Sequence, residues 1–310
     1  MRGKKLLVTG ASGLLGLNLG FLLAGRCRVV GITHSHGLRG APFEVIEADL
    51  SQPGRFGRVL EQVRPDWVVH AAALANIDAC EKNPGLSQRL NAELPGEVAE
   101  ACDRHDLAVV HISTDAVFDG LRGSYGEDDR PNPQSIYARD KLAGELAVAA
   151  ANPHAAIARV TFYGWSLAGR RSLAEFFYYN LAAGKRVNGF CDVFSCTLHA
   201  HSLVELLVEM LDQNLNGVYH TVSREHLSKY QFGVNIARRF GLDESLIDAV
   251  SVLDGGLVAK RSPNLTLRVG KLETALGHAL PGQAEGIEQL YRLFEEGYPE
   301  RLRGLGSGEW

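Results

Sequence analysis

Hydrophobic positions along this chain gather into short continuous runs, separated by longer stretches in which apolar and polar residues alternate with helical spacing. Lys5–Thr9 reads as a short buried strand. It is followed by TGASGLLG and by a leucine-rich helical stretch from Leu14 to Ala24, with Gly25 as its stop. Apolar runs at Cys27–Thr33, Phe43–Ala48, Trp67–Ala71 and Leu107–Ser113 predict four further strands, and helical patterns at about 54–63 and 86–105 precede the last two. Buried strands alternating with helices predict an α/β fold, a doubly wound parallel sheet covered on both faces. After Pro153 the alternation continues with more polar and aromatic loops, and helices are expected at 172–183, 201–212, 228–240 and 284–296. The boundary carries no clean linker. The expected division is a first unit over 1–160 with a return segment near 190–220, and a smaller α/β unit mainly over 161–310.

Composition narrows this picture. A length of 310 residues passes the size at which a single core stops growing, about 250–300 residues. With 45% hydrophobic and 22% charged residues, disorder and fibrous repeats are excluded. Opposing 32 basic residues to 36 acidic ones leaves a net charge of −4, which argues against nucleic acid or an anionic membrane as partner. Five cysteines without CxxC spacing speak against a disulfide framework or zinc ribbon and for a reducing compartment. His199 and His201 could share a strand face, but no HExxH or paired Cys/His spacing accompanies them, so no metal is expected. No run approaches the roughly 18 apolar residues of a membrane span. Thr9, Gly10, Ser12 and Gly13 break the apolar run behind Arg2, Lys4 and Lys5, so a secretory signal is not expected and a cytoplasmic protein is.

Nine of the 34 glycines fall in the first 40 residues. Gly10, Gly13 and Gly16 are spaced G-x-x-G-x-x-G between strand and helix, with Ser12, Leu14 and Leu15 among them. Glycine there permits a tight turn and close backbone approach to a pyrophosphate, while the helix N-terminus offers free N–H groups. The prediction is a Rossmann-type dinucleotide site. Such sites place an acidic residue after the second strand to bond the adenosine ribose. Here GITHSHGLRG supplies His34, His36 and Arg39 instead. Arg39 could pair with a 2′-phosphate, which favours NADP(H) and leaves NAD(H) open.

SIYARDKLAGE sets Tyr137 and Lys141 four residues apart, on one helical face. An adjacent ammonium, together with the positive nicotinamide of an oxidised cofactor, would favour the phenolate and lower the phenol from its ordinary pKa near ~10. Upstream, HISTDAVFDG closes an apolar strand, so Ser113, Thr114 and Asp115 would emerge at the carboxyl edge of the sheet, where such folds bind ligands.

With these pieces in order, the chain resembles the extended short-chain dehydrogenase/reductases, and within them the dTDP-4-dehydrorhamnose reductase family of nucleotide-sugar 4-ketoreductases. TGASGLLG, EADL (47–50), HAAALANIDACEKNP (70–84), LNAELPGEVAEAC (90–102), HISTDAVFDG, SIYARDKLAGE and ARVTFYGW (158–165) carry the likeness, and a weaker echo runs through 216–233 and 260–267. The resemblance implies that Tyr137 protonates the carbonyl oxygen as hydride arrives from the nicotinamide. Lys141 would bond the nicotinamide ribose and tune Tyr137, and Thr114 would hydrogen-bond the substrate carbonyl. It further implies that Asp49 and Leu50 flank the adenine and that Ala71, Ala72 and Ala73 line the dinucleotide. Asn91 would support the catalytic helix, and Thr161 and Phe162 would lie near the carboxamide.

Two departures concern the sugar. Ala116 stands where the reductases carry tyrosine after the Thr-Asp pair, and Arg159-Val160-Thr161-Phe162 replaces an RTSW-type segment. For the substrate diphosphate the candidates are Arg170, Arg171, Lys185, Arg186, Lys260 and Arg261, with Arg261 chosen. Trp165 and the aromatic run Phe176–Tyr179 could stack on a base or pack as core. The resulting expectation is NADP(H)-dependent reduction of a keto group on a nucleotide-diphosphate deoxysugar. Alternatives are an epimerase on the same fold, or a non-catalytic NADP-binding subunit like that of methionine adenosyltransferase. The small, apolar LAGELAVAAA continuation of the Tyr137 helix is compatible with a homodimer.

Overall fold

The computed structural model describes residues 1, 3–34, 37–254 and 262–305. Its first half builds strands β1 (Lys5–Thr9), β2 (Arg28–Thr33), β3 (Glu44–Glu47), β4 (Trp67–His70), β5 (Ala108–Thr114) and β6 (Ala156–Val160). The strand Gly217–His220 joins beside β6, so the sheet runs Gly217–His220, β6, β5, β4, β1, β2, β3 with every neighbouring pair parallel. The chain leaves β1 toward β2 on one side and returns to β4 on the other. That reversal opens a crevice at the carboxyl end of β1, the usual ligand position in an open α/β sheet.

Side chains alternate across the strands. Leu6, Val8, Val69, Val110 and Ile112 face one layer, which includes helix α1 (Leu14–Leu23) and helix Ala200–Asp212. Leu7, Val30, Val68 and Val109 face the other, which includes α2 (Arg55–Val63). The expected helix over 86–105 is divided. α3 (Ile77–Lys82) and α4 (Pro84–Gln88) lead into a widened π-helical turn at Arg89–Glu93, then α5 (Leu94–Arg104). Proline accounts for both breaks: Pro84 opens α4, and Pro95 has no N–H for the carbonyl of Asn91, so the ladder opens just before it. α6 (Ile136–Ala151) then packs along α5 and that turn.

Beyond β6, helices Leu173–Ala182 and Lys229–Phe240 each begin with a serine capping box, Ser172 with Glu175 and Ser228 with Gln231. Short strands Leu227–Ser228, Phe194–Ser195 and Asn264–Leu265 form a small sheet at the mouth of the crevice. Two short helices not expected from the pattern, Gly270–Leu276 and Tyr298–Arg303, complete the described chain. Trp165 is fully buried, donates to the Leu290 carbonyl at 3.0 Å, and sits among Tyr178, Tyr179, Phe240 and Phe294. It is core, so it offers no stacking surface to a ligand. Among the described residues no helix is long and apolar enough to cross a membrane.

Candidate active site

The glycine turn is shaped by backbone contact. Gly10 holds φ at +70°, and a Cβ on Gly16 would lie 2.7 Å from the Ala11 Cα and against the Gly10 carbonyl. Only hydrogen fits there, so α1 starts hard against the end of β1. Gly13, the N-cap of α1, has no side chain to cap it, which leaves the first N–H groups of the helix free for a ligand at the crevice. Opposite, Thr9 Oγ1 accepts from the N–H groups of Ala71 (3.1 Å) and Ala72 (3.0 Å), which ties the 71–73 loop to β1.

Between these walls lies a cleft of about 360 Å³. Gly10, Gly13, Leu14, Leu15 and Gly16 line one side, Ala71, Ala73 and Ala75 the next. Ser113, Thr114 and Asp115 rise from β5, Tyr137 and Lys141 from α6, and Thr161, Phe162 and Arg171 close the far end. The N-cap Ser135 accepts from Ala138 N–H at 3.2 Å, which places Tyr137 in the first turn of α6 and Lys141 one turn further in.

The electrostatics differ from the sequence expectation at Tyr137. Its phenol opens partly to the cleft but is packed deeply enough that burial pushes it up to about 12, against a smaller downward pull from a hydrogen bond with Thr114. Lys141, which lines the same cleft, is held from behind: Nζ donates to the Ile112 carbonyl at 2.6 Å and lies 3.4 Å from His111 Nε2. Burial brings Lys141 itself down to about 8, partly opposed by the Glu145 carboxylate. Asp115 is raised to about 7 by burial, although it accepts from Thr114 Oγ1 at 3.2 Å and feels Lys229. Below β5, Glu145 accepts from Ser113 Oγ at 2.5 Å and from Arg159 Nε and a terminal nitrogen at 3.0 and 2.7 Å, all buried.

A second cleft of about 570 Å³ shares Asp115, Thr161 and Phe162 with the first. Asp78, Glu81, Ala116, Gln134 and Ser135 form one wall, with Phe194, Ser195, Thr197, Lys229 and Leu265 facing them. Lys229 was not visible as a site residue. Its only local signal is the serine cap before it, and the fold alone turns it toward Asp115.

Other sequence candidates lie elsewhere. His34 and Asp49 line a separate open hollow beyond β2 with Gln52 and Arg55, and His34 Nε2 is 3.7 Å from Asp49. Arg39 is exposed outside that hollow, its backbone N–H bonded to the Leu305 carbonyl, so the nearby cation is Arg55. Leu50 is core behind the sheet, and neither Ser12 nor the Ala72 side chain lines the cleft. Asn91 is fully buried, and its amide is spent on both backbone groups of Leu74 (3.1 and 3.0 Å) and on Ser87 (3.2 Å). It braces the 71–76 loop from behind. His36 and Arg261 lie outside the described residues. His199 and His201 are engaged with Gln289 and Tyr298, and no cluster of metal-ligating side chains occurs among the described residues.

The chain is similar to known proteins over nearly its whole length. The RmlD substrate binding domain family matches residues 4–295. A Haloferax volcanii protein named for low-salt glycan biosynthesis as the reductase Agl14 is 32% identical over 295 residues, covering 93% of this chain and 98% of the relative. The dTDP-4-dehydrorhamnose reductase of Mycobacterium tuberculosis is 31% identical over 258 residues, 81% of this chain and 80% of that one. The Bacillus anthracis dTDP-4-dehydrorhamnose reductase solved with NADP superposes with a TM-score of 0.82 at 23% identity, covering 94% of this chain and 99% of that one. The chain therefore belongs to the RmlD substrate binding domain family, as a dTDP-4-dehydrorhamnose reductase-like, NAD(P)-dependent oxidoreductase.

Proposed function

We propose that the protein reduces a keto group, at C4, of a nucleotide-diphosphate deoxysugar, with NADPH as the reductant. The observation that carries this is the meeting of two clefts at Asp115, Thr161 and Phe162, with Thr114, Tyr137 and Lys141 beside the junction. The uncapped start of α1 and the glycine cradle fit a dinucleotide pyrophosphate. When bound, the nicotinamide supplies the hydride to the carbonyl carbon. Tyr137 supplies the proton to the carbonyl oxygen, and a phenol pushed up to about 12 is fully protonated at neutral pH and ready to donate. Thr114 holds the phenol by hydrogen bond. Lys141 contributes a buried positive charge that would stabilise the tyrosinate left behind.

The larger cleft would take the sugar and its diphosphate. Arg171 at the junction and Lys229 in the wall are the cations placed to meet phosphate oxygens. Ala116 leaves the sugar end wider than a tyrosine would. At the adenosine end His34 and Arg55 favour a 2′-phosphate, hence NADP(H) over NAD(H). NADPH consumption with a panel of 4-keto nucleotide sugars tests the reading. Tyr137→Phe should lower turnover by about 10²–10⁴-fold while NADPH affinity changes little. Undiminished turnover in that variant removes Tyr137 from the mechanism.

A further inference from the structure

Beneath α6, four polar side chains form a row on a sheet face that is otherwise apolar. Thr9, His70 and His111 are register partners across β1, β4 and β5, and Lys141 reaches them from α6. Each is no more than 2% exposed. The hydrogen-bond count determines both imidazole tautomers. Thr9 Oγ1 already accepts two backbone N–H groups, so its own hydrogen goes to His70 Nδ1 at 2.8 Å, and His70 carries its proton on Nε2. An ammonium only donates, so at the 3.4 Å contact with Lys141 the accepting atom is His111 Nε2, and His111 carries its proton on Nδ1.

The rings stack with centroids 5.2 Å apart and planes 28° apart, and His70 Nε2 and His111 Nδ1 have no partner among the described residues. Two idle buried N–H groups cost stability that valine, as at Val68 and Val109 on the same face, would not. What the row supplies in return is an acceptor for Lys141. Both rings are held neutral by burial and by the lysine charge. The ionisable groups around the Lys141 ammonium are Glu145 and Tyr137 on its own helix, His111 on β5 and His70 on β4.

We propose that His111 is a positioning residue for Lys141: its neutral ring, stacked on His70 and keyed through it to Thr9, accepts from the ammonium and keeps it charged and aimed within the site. The functional consequence rests on the role assigned to Lys141 above; the hydrogen bond itself does not.

Histidine-selective ¹⁵N spectra of the full chain should show the Nδ1–H tautomer for His111 and the Nε2–H tautomer for His70, neither titrating between pH 5 and 8. In ¹³C-lysine-labelled protein, His111→Leu should move the Lys141 titration down by about one pH unit, because an interaction favouring the charged form is lost. His111→Gln, whose amide oxygen can take the place of Nε2, should restore most of it. The alkaline limb of kcat/KM should follow the same order. An Nε2–H or protonated His111, or a Lys141 titration identical in the leucine and wild-type proteins, overturns the proposal. Both readouts hold even if the ketone reduction itself is not catalysed, so the two claims fail separately.

Discussion

Replacing Glu145 by glutamine removes one charge from the most buried ion pair described in the molecule. Glu145 and Arg159 are each 4% exposed in their side chains. The carboxylate accepts from Ser113 Oγ and three times from Arg159, at 2.5 to 3.2 Å. Among the described residues Arg159 has no second carboxylate within ion-pair distance and one of its terminal nitrogens has no partner; the guanidinium lies over the Phe118 ring at 5.1 Å. Glu145→Gln therefore leaves a buried guanidinium uncompensated, a loss of about 3–5 kcal/mol. At roughly 2 °C per kcal/mol for a chain of this size, the melting temperature should fall by about 6–10 °C. The double replacement Glu145→Leu with Arg159→Met should recover most of this, since it removes both charges together. Calorimetry or urea unfolding of the three proteins decides it. A loss below about 1 kcal/mol for Glu145→Gln would mean the pair behaves as an exposed one, and the reasoning from burial would be wrong.

Three further outcomes follow from the same geometry. Gly16→Ala places a methyl 2.7 Å from the Ala11 Cα and should weaken NADPH binding at least tenfold by fluorescence titration; an unchanged Kd would show that the turn has room to give. Asp115, raised to about 7 by burial against about 3.9 unfolded, holds a native-state proton between those values, so its contribution is full below about pH 4 and lost as pH rises through 7. Asp115→Asn should accordingly stabilise on the order of 2–4 kcal/mol more at pH 8 than at pH 4 in urea unfolding, and equal gains at both would contradict the raised carboxyl. Arg55→Ala should raise KM for NADPH about tenfold with little change for NADH, whereas Arg39→Ala should alter neither; the opposite pattern would return the 2′-phosphate to Arg39.

The local pattern carried much of the fold. Continuous apolar runs marked β1 to β5 to within a residue or two, because a strand covered on both faces is built mostly from apolar side chains. The helices near 172–183, 201–212, 228–240 and 284–296 were equally legible from their spacing. Where proline intervened the pattern misled: Pro95 opens the expected 86–105 helix into a π turn ahead of α5 without disturbing its apolar period. The two short helices near the end carry too few turns to show a period.

For the site, sequence alone determined the residues whose chemistry is local. Gly10, Gly13 and Gly16 declare a close backbone approach, and Tyr137 and Lys141 share a face because four residues make about one turn. The tertiary structure decided everything that depends on a neighbour distant in the chain. Arg55 rather than Arg39 reaches the hollow with His34, because the entry to α2 turns back over the end of β2. The partner of the Asn91 amide, the Leu74 backbone, and the burial of Trp165 in the core were also fixed only by the fold. Most directly, burial raises the pKa of Tyr137, a pull opposite to that of the positive charges the sequence offered. A pattern places an ammonium four residues from a phenol, but only packing determines that the ammonium is spent on Ile112 and His111 and that burial sets the phenol's charge.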